Sequence, residues 1–305
     1  MKKRNNFGLL PYDREDIYGL TPSSNQYVGW EIQTFNIKNC WKNSKGEGVV
    51  VAVIDTGCDL YHDDIKNNLV QGKNFIEINQ DPIDRNGHGT HVSGTIAATD
   101  NGLGMVGVAP NTKIMPLKGL ADNGSGDPRA IASAIVWAAD NKADLITMSL
   151  GSPGEHSGIK KAIDYACSKD VVIFCAAGNS GESSPIMYPA KYSNVISIGA
   201  IDRNLERTSF TCSGEELDFL APGHEIVSAV PGNKYAMMSG TSMSNPFAVG
   251  CASLLLSYLK KHNIKIPKTA DEYISIFKKT AKHLNNSKYA GKKEYEGYGI
   301  LYPIQ

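Results

Sequence analysis

With 305 residues, 31 basic and 31 acidic side chains and a formal charge of zero, the chain carries no electrostatic footprint for nucleic acid or an anionic membrane. Its length allows one large α/β domain or two modest ones, with a sizeable core, and no apolar run approaches the roughly 18 residues of a membrane span. The basic start Met1-Lys2-Lys3-Arg4 leads into Asn5, Asn6 and then Pro11, Asp13, Arg14 and Glu15 instead of an apolar signal region, so a soluble, cytoplasmic protein is expected. Cys40, Cys58, Cys167, Cys175, Cys212 and Cys251 are scattered through apolar runs without a CxxC pair, which favours reduced, buried thiols over disulfides or a zinc site.

Residues 1 to about 25 are polar and without period, apart from Phe7-Gly8-Leu9-Leu10-Pro11-Tyr12, and on composition alone they read as a disordered tail. Val49 to Ile54 is a continuous apolar run, the mark of a parallel strand buried on both faces, and it ends in Asp55-Thr56-Gly57. Open α/β sheets place their sites at such carboxyl ends, whereas the bland alternative for Asp55 is a turn cap. The small residues after His88 (Gly89-Thr90-His91-Val92-Ser93-Gly94) predict a tightly packed helix with His88 in its first turn and His91 on the same side. That spacing without an accompanying Glu or Cys is poor for zinc and better suited to a general base at His88.

Further strands are predicted at Lys113 to Leu117, Asp144 to Leu150, Val171 to Ala176 and Val195 to Ala200, with helices at Asp127 to Asn141 and Ile159 to Lys169. Strands alternating with helices at this spacing define βαβ units and a mainly parallel sheet with right-handed crossovers. Near the end, Gly240-Thr241-Ser242-Met243-Ser244-Asn245-Pro246 opens a buried helix from Phe247 to Leu259, and an amphipathic helix is expected from Thr269 to Leu284. Ser242 therefore stands at a helix start, where free N–H groups and the dipole favour an oxyanion, although a serine there is also an ordinary N-cap. A serine hydroxyl becomes a nucleophile only when a base and a carboxylate attend it, and His88 and Asp55 are the candidates.

With Asp55, His88 and Ser242 in that order, the chain resembles the subtilisin-like serine proteases over roughly residues 35 to 305. The blocks that carry the likeness are Val-Ile-Asp55-Thr-Gly, Gly-His88-Gly-Thr-His-Val, Gly-Thr-Ser242-Met with Pro246, and Ala176-Ala177-Gly178-Asn179. The resemblance implies an α/β fold of three layers, a mainly parallel central sheet flanked by helices, in one peptidase domain over residues 26–305. It implies Ser242 as nucleophile, His88 as base, Asp55 as its orienting acid and Asn179 as oxyanion donor. It further implies that Gly124-Ser125-Gly126 and Ser149-Leu150-Gly151 sandwich an extended polypeptide substrate, with Met187 making the first specificity pocket shallow and apolar and Pro128 replacing an aromatic on the rim of the fourth. A structural Ca²⁺ held by Asp64, Thr99, Asn101, Leu103 and Met105 is implied, with a weaker second one at Ala190, Tyr192 and Val195. Ser244-Asn245-Pro246-Phe247 departs from the family's usual block, and the family's usual long folding pro-domain is expected to be missing. Leu9-Leu10-Pro11-Tyr12 is similar instead to the short N-terminal motif of intracellular subtilisins, so residues 1–25 are expected to be an inhibitory extension lying over the active site. Rival readings are a peptidase dedicated to one peptide, such as a bacteriocin leader, and an inactive protease-like binding module. The assembly expected is a monomer or homodimer.

Overall fold

The computed structural model describes residues 7–285 and 288–304. Two short strands come first, β1 (Phe7–Leu9) and β2 (Asp13–Ile17), followed by the short helices α1 (Trp30–Thr34) and α2 (Ile37–Cys40). The described part of residues 1–25 is thus strand-bearing, which corrects the reading of a disordered tail; residues 1–6 lie outside the described residues. Composition missed these strands because their partners lie far along the chain.

The apolar run before Asp55 is β3 (Val50–Asp55), whose branched side chains are buried on both faces as a central parallel strand requires. β4 (Lys73–Asn74), α3 (His88–Ala97), β5 (Lys113–Lys118), β6 (Ser125–Gly126) and α4 (Pro128–Asp140) follow. The Asp127 side chain accepts from the Arg129 N–H at 2.8 Å and Pro128 occupies the first helical position, so cap and proline together start α4 one residue later than expected.

The strand expected over residues 144–150 is two strands in two sheets, β7 (Leu145–Met148) and β8 (Leu150–Gly151). The break falls at Ser149, where the chain leaves the central sheet for the cleft. Next come α5 (Ser157–Ser168), β9 (Val172–Ala176), β10 (Ile196–Ile201), β11 (Phe219–Pro222), β12 (Ile226–Val230) and β13 (Lys234–Ser239). The chain closes with α6 (Thr241–Lys261), α7 (Ala270–Phe277) and α8 (Lys293–Glu296). α7 is shorter than its amphipathic pattern because the Lys282 N–H and carbonyl pair with Ile300, which draws the chain out of helix.

β3 to β5, β7 and β9 to β11 form one seven-stranded sheet in the order β11-β10-β9-β7-β3-β5-β4, and every pairing in it is parallel. α3 and α6 pack together against it, and α4 packs with α5, which gives a three-layer α/β fold. Two small antiparallel sheets flank it: β6-β1-β8 and β12-β13-β2. All six cysteines are free thiols. Among the described residues no helix is long and apolar enough to cross a membrane.

Candidate active site

Asp55 ends β3 with its carboxylate buried. The Thr56 N–H donates to Oδ1 at 2.7 Å, and both oxygens face His88 Nδ1 at 2.9 and 3.0 Å. His88 is the first residue of α3 and is likewise buried. The approach of α3 to β3 depends on Gly89, where a Cβ would lie 2.2 Å from the Gly57 carbonyl oxygen. His91 takes a separate partner, the Ile226 carbonyl at 3.0 Å, so the two imidazoles do not converge on a metal. Burial, followed by the neighbouring His88, pushes His91 down to about 3.

Two residues that sequence reasoning missed tie acid and base into one frame. Asp84, only 2% exposed, accepts from the Thr56 and Thr90 hydroxyls and from the N–H groups of Asn86, Gly87 and Thr90, all at 2.7 to 2.9 Å. Those amides belong to the turn before α3 and to its first turn, which have no intrahelical acceptors. Thr56 in turn receives the Gly89 N–H on its hydroxyl at 3.0 Å and the buried Lys118 ammonium on its carbonyl at 2.6 Å. The available signal was an acid four residues before a helix-starting histidine; nothing in the pattern marked Thr56 beyond its place next to Asp55.

Ser242 is the second residue of α6, and the N-cap is Gly240 with no side-chain cap bond, so the serine is not a cap. Pro246 lies inside the helix and lacks the N–H that would bond to the Ser242 carbonyl. The Ser149 hydroxyl donates to that carbonyl instead, at 3.0 Å. Ser242 Oγ donates to the Ser149 carbonyl at 3.3 Å, while His88 Nε2 is buried with no hydrogen-bond partner among the described residues. The acid–imidazole link is therefore formed and the imidazole–hydroxyl link is not. Asn245, one of the departures from the family pattern, packs inward and donates to Thr147 Oγ1 at 2.8 Å, which fixes α6 to the end of β7.

Asn179 faces the cleft because Thr241 holds its oxygen: Oδ1 accepts from the Thr241 N–H at 2.9 Å and hydroxyl at 2.7 Å. The amide nitrogen, left pointing outward, donates to the Pro11 carbonyl at 2.6 Å. Upstream of that carbonyl, β1 pairs antiparallel with both cleft strands, Gly8 opposite Ser125 and Gly151, Phe7 opposite Gly126 and Leu9 opposite Leu150. The Leu9 N–H donates to the Gly124 carbonyl at 2.9 Å. A Cβ on Gly151 would meet Leu10 Cδ2 at 2.8 Å and Met187 Cβ at 3.3 Å, so Leu10 sits beside Met187. The Tyr12 ring lies 5.0 Å from the His88 ring, and burial, then the Asp55 charge, raises its hydroxyl's pKa.

Of the residues expected to hold the first cation, Asp64 is buried, and its Oδ2 accepts from the Met105 N–H at 2.9 Å and the Tyr235 hydroxyl at 2.7 Å. Its Oδ1 is buried without a partner among the described residues, and burial raises its pKa. The Thr99 and Leu103 carbonyls point at one side chain, Gln26 Nε2, at 3.0 and 3.4 Å, and Asn101 shapes the loop by accepting the Leu103 N–H. An orphaned carboxylate oxygen beside converging carbonyls is a hard-oxygen donor set that suits Ca²⁺. Gln26, with no sequence signal, joins it: turning its amide would offer the oxygen instead. Ala190 and Val195 are buried and the Tyr192 carbonyl is used by the Val195 N–H, so no comparable feature marks the second set. Among the described residues no cluster of three or more His, Cys, Asp or Glu side chains could hold a metal.

A buried acid, an imidazole and a helix-borne serine gathered at the carboxyl ends of a parallel sheet beside an amide donor make this the site of a serine hydrolase. A family model described as the subtilase family matches residues 46–299. Subtilisin DY of Bacillus licheniformis is 44% identical over 252 residues, covering 81% of this chain and 89% of that protein. An intracellular serine protease of Paenibacillus polymyxa is 41% identical over 271 residues, 86% of this chain and 81% of the relative. The major intracellular serine protease of Bacillus subtilis (strain 168) is 41% identical over 237 residues, 74% of each chain. The chain belongs to the subtilase family and is a subtilisin-like serine protease.

Proposed function

We propose that this chain is an intracellular, cytoplasmic endopeptidase made as a precursor, with residues 1–25 lying over the cleft of the peptidase domain, residues 26–305, until they are cut or displaced. In the uncovered enzyme Ser242 attacks the substrate carbonyl, His88 takes its proton and delivers it to the leaving amine, and Asp55 holds the imidazole and stabilises its cation. The Asn179 amide and the Ser242 N–H receive the oxyanion. The Ser242 hydroxyl reaches His88 by leaving the Ser149 carbonyl, a rotation about its Cα–Cβ bond. Gly124, Ser125, Gly126, Ser149, Leu150 and Gly151 receive the substrate backbone, and Met187 lines an apolar first pocket.

The observation that carries the precursor reading is the Pro11 carbonyl on the Asn179 amide, with β1 in place of a substrate between the two cleft strands. The same contacts would slow cutting of the extension. Leu10 occupies the place beside Met187 while the carbonyl on the amide is that of Pro11, so pocket and oxyanion donor engage different residues. Relatives named intracellular serine proteases support the cellular location. Asp64, Thr99, Asn101, Leu103, Met105 and Gln26 would hold the calcium ion. When bound, that ion supplies positive charge that fastens the loop to the residues just after the extension, and it takes no part in the chemistry.

Mass spectrometry of the purified full chain over time is the test, alongside Ser242→Ala and the Leu9→Asp, Leu10→Asp double variant. The parent should lose part of residues 1–25, Ser242→Ala should stay intact, and the double variant should hydrolyse a denatured protein roughly tenfold faster at early times, because two charges replace apolar contacts in the cleft. Equal or lower early activity in the double variant would overturn the inhibitory reading.

A further inference from the structure

The extension is gripped on both sides of the nucleophile, and the second grip has a different chemistry from the first. Past Pro11, β2 pairs antiparallel with β13 over five residues, from Asp13 opposite Ser239 to Ile17 opposite Tyr235. Counted from the carbonyl held by Asn179, these are the second to the sixth residues downstream. The β1 half buries Phe7, whereas in the β2 half Asp13 to Asp16 are exposed and only Ile17 is half-buried. Backbone pairing therefore provides most of what holds β2. β13 leads directly into Gly240 and α6, so the track ends beside Ser242.

In the order β12-β13-β2, removal of β2 leaves β13 as an edge strand. Edges that must stay unpaired are blunted with prolines or charges. Between Tyr235 and Ser239 this strand has neither: it reads Tyr-Ala-Met-Met-Ser.

We propose that the β13 edge is a second substrate site, a strand-addition track for the polypeptide on the C-terminal side of the cut bond, reaching about six residues beyond it. This rests on the peptidase reading above. Its ligand class is an extended chain of little side-chain preference, recognised through main-chain N–H and C=O groups. Long or unfolded chains should then be favoured over short peptides, whatever their downstream sequence.

The first measurement uses the full chain held until its activity on a short chromogenic peptide stops rising. It is given peptides that share one sequence before the cut and carry about two, four, six or eight residues after it; kcat/KM should climb roughly tenfold between two and six and then level off, as a few ladder hydrogen bonds allow. N-methylating two neighbouring downstream nitrogens, one of which faces β13 whatever the phase, should remove the gain, and changing side chains should not. A flat profile beyond two residues, or indifference to N-methylation, would overturn the track.

A chain that hydrolysed nothing would sink the peptidase reading, and the edge is then decided by amide hydrogen exchange on the full-length Ser242→Ala protein. Glu15→Pro with Asp16→Pro takes a ladder donor from exposed positions, so exchange at Tyr235 to Ser239 should rise and an added eight-residue peptide should slow it again. Exchange unchanged by both the prolines and the peptide would refute the site independently of catalysis.

Discussion

Replacing Asp84 by alanine is expected to cost this protein a large part of its stability, although the residue touches no substrate. The carboxylate is 2% exposed and gathers five donors, three of them backbone amides at the entry to α3. A buried donor left without a partner costs about 1–3 kcal/mol, so three orphaned amides alone amount to roughly 3–9 kcal/mol. Against a typical folding free energy of about 5–15 kcal/mol, that is enough to unfold a large fraction of molecules near room temperature. Asp84→Asn keeps one acceptor oxygen and should lose about half as much. Because Thr56 and Gly89 are aligned through this carboxylate, the asparagine variant should also lower kcat more than it raises KM. Urea unfolding of the parent and both variants gives the free energies directly. A loss of less than about 1 kcal/mol for Asp84→Ala would refute the assignment of Asp84 as the acceptor for that turn.

Thr241→Val removes a hydroxyl that accepts from the Gly178 N–H at 3.2 Å and donates to Asn179 Oδ1, so it should cost about 1–3 kcal/mol of stability and lower kcat roughly tenfold with KM almost constant, less than the roughly 10²–10³-fold lost when a subtilisin loses the oxyanion donor itself. An unchanged kcat would show that the Thr241 hydroxyl is not needed to orient Asn179 and that the backbone N–H suffices. Glu31 is 3% exposed, its Oε2 has no partner among the described residues, and burial raises its pKa to about 7. A carboxyl raised in the fold favours folding below its unfolded pKa, and that contribution fades as pH climbs from about 4.5 to about 7, by about 3 kcal/mol in all. Glu31→Gln should flatten the fall in thermal stability across that window. His91, held neutral, acts in the opposite sense as pH drops below about 6.5, and it cancels in the comparison of the two proteins. Calcium at about 100 times its dissociation constant should stabilise the parent by about 2.7 kcal/mol, and Asp64→Asn should abolish most of that gain in a thermal melt. An equal gain in both proteins would remove Asp64 from the site.

The central sheet and the three separated residues of the site were readable because each signal is local. A β-branched run ending in Asp55, a glycine-flanked His88 and a Gly-Thr-Ser242 helix start each announce themselves within a few positions. What escaped depends on contacts between distant segments. β2 is an acidic stretch with no strand pattern, and only the free edge of β13 makes it one. Asp84 and Gln26 look like ordinary loop residues until folding brings Thr56 to the first and the Thr99 and Leu103 carbonyls to the second. α7 stops at Phe277 although its pattern continues, because pairing with Ile300 outweighs local preference.

One consequence concerns motion. The grip of Thr241 on Asn179 joins the proposed oxyanion donor to the same helix that bears the proposed nucleophile, Ser242. A displacement of α6 would draw the Asn179 side chain along with Ser242, while His88 and Asp55 are carried by α3 and β3. In the proposed mechanism the link left to close is therefore the gap between the serine oxygen and the imidazole.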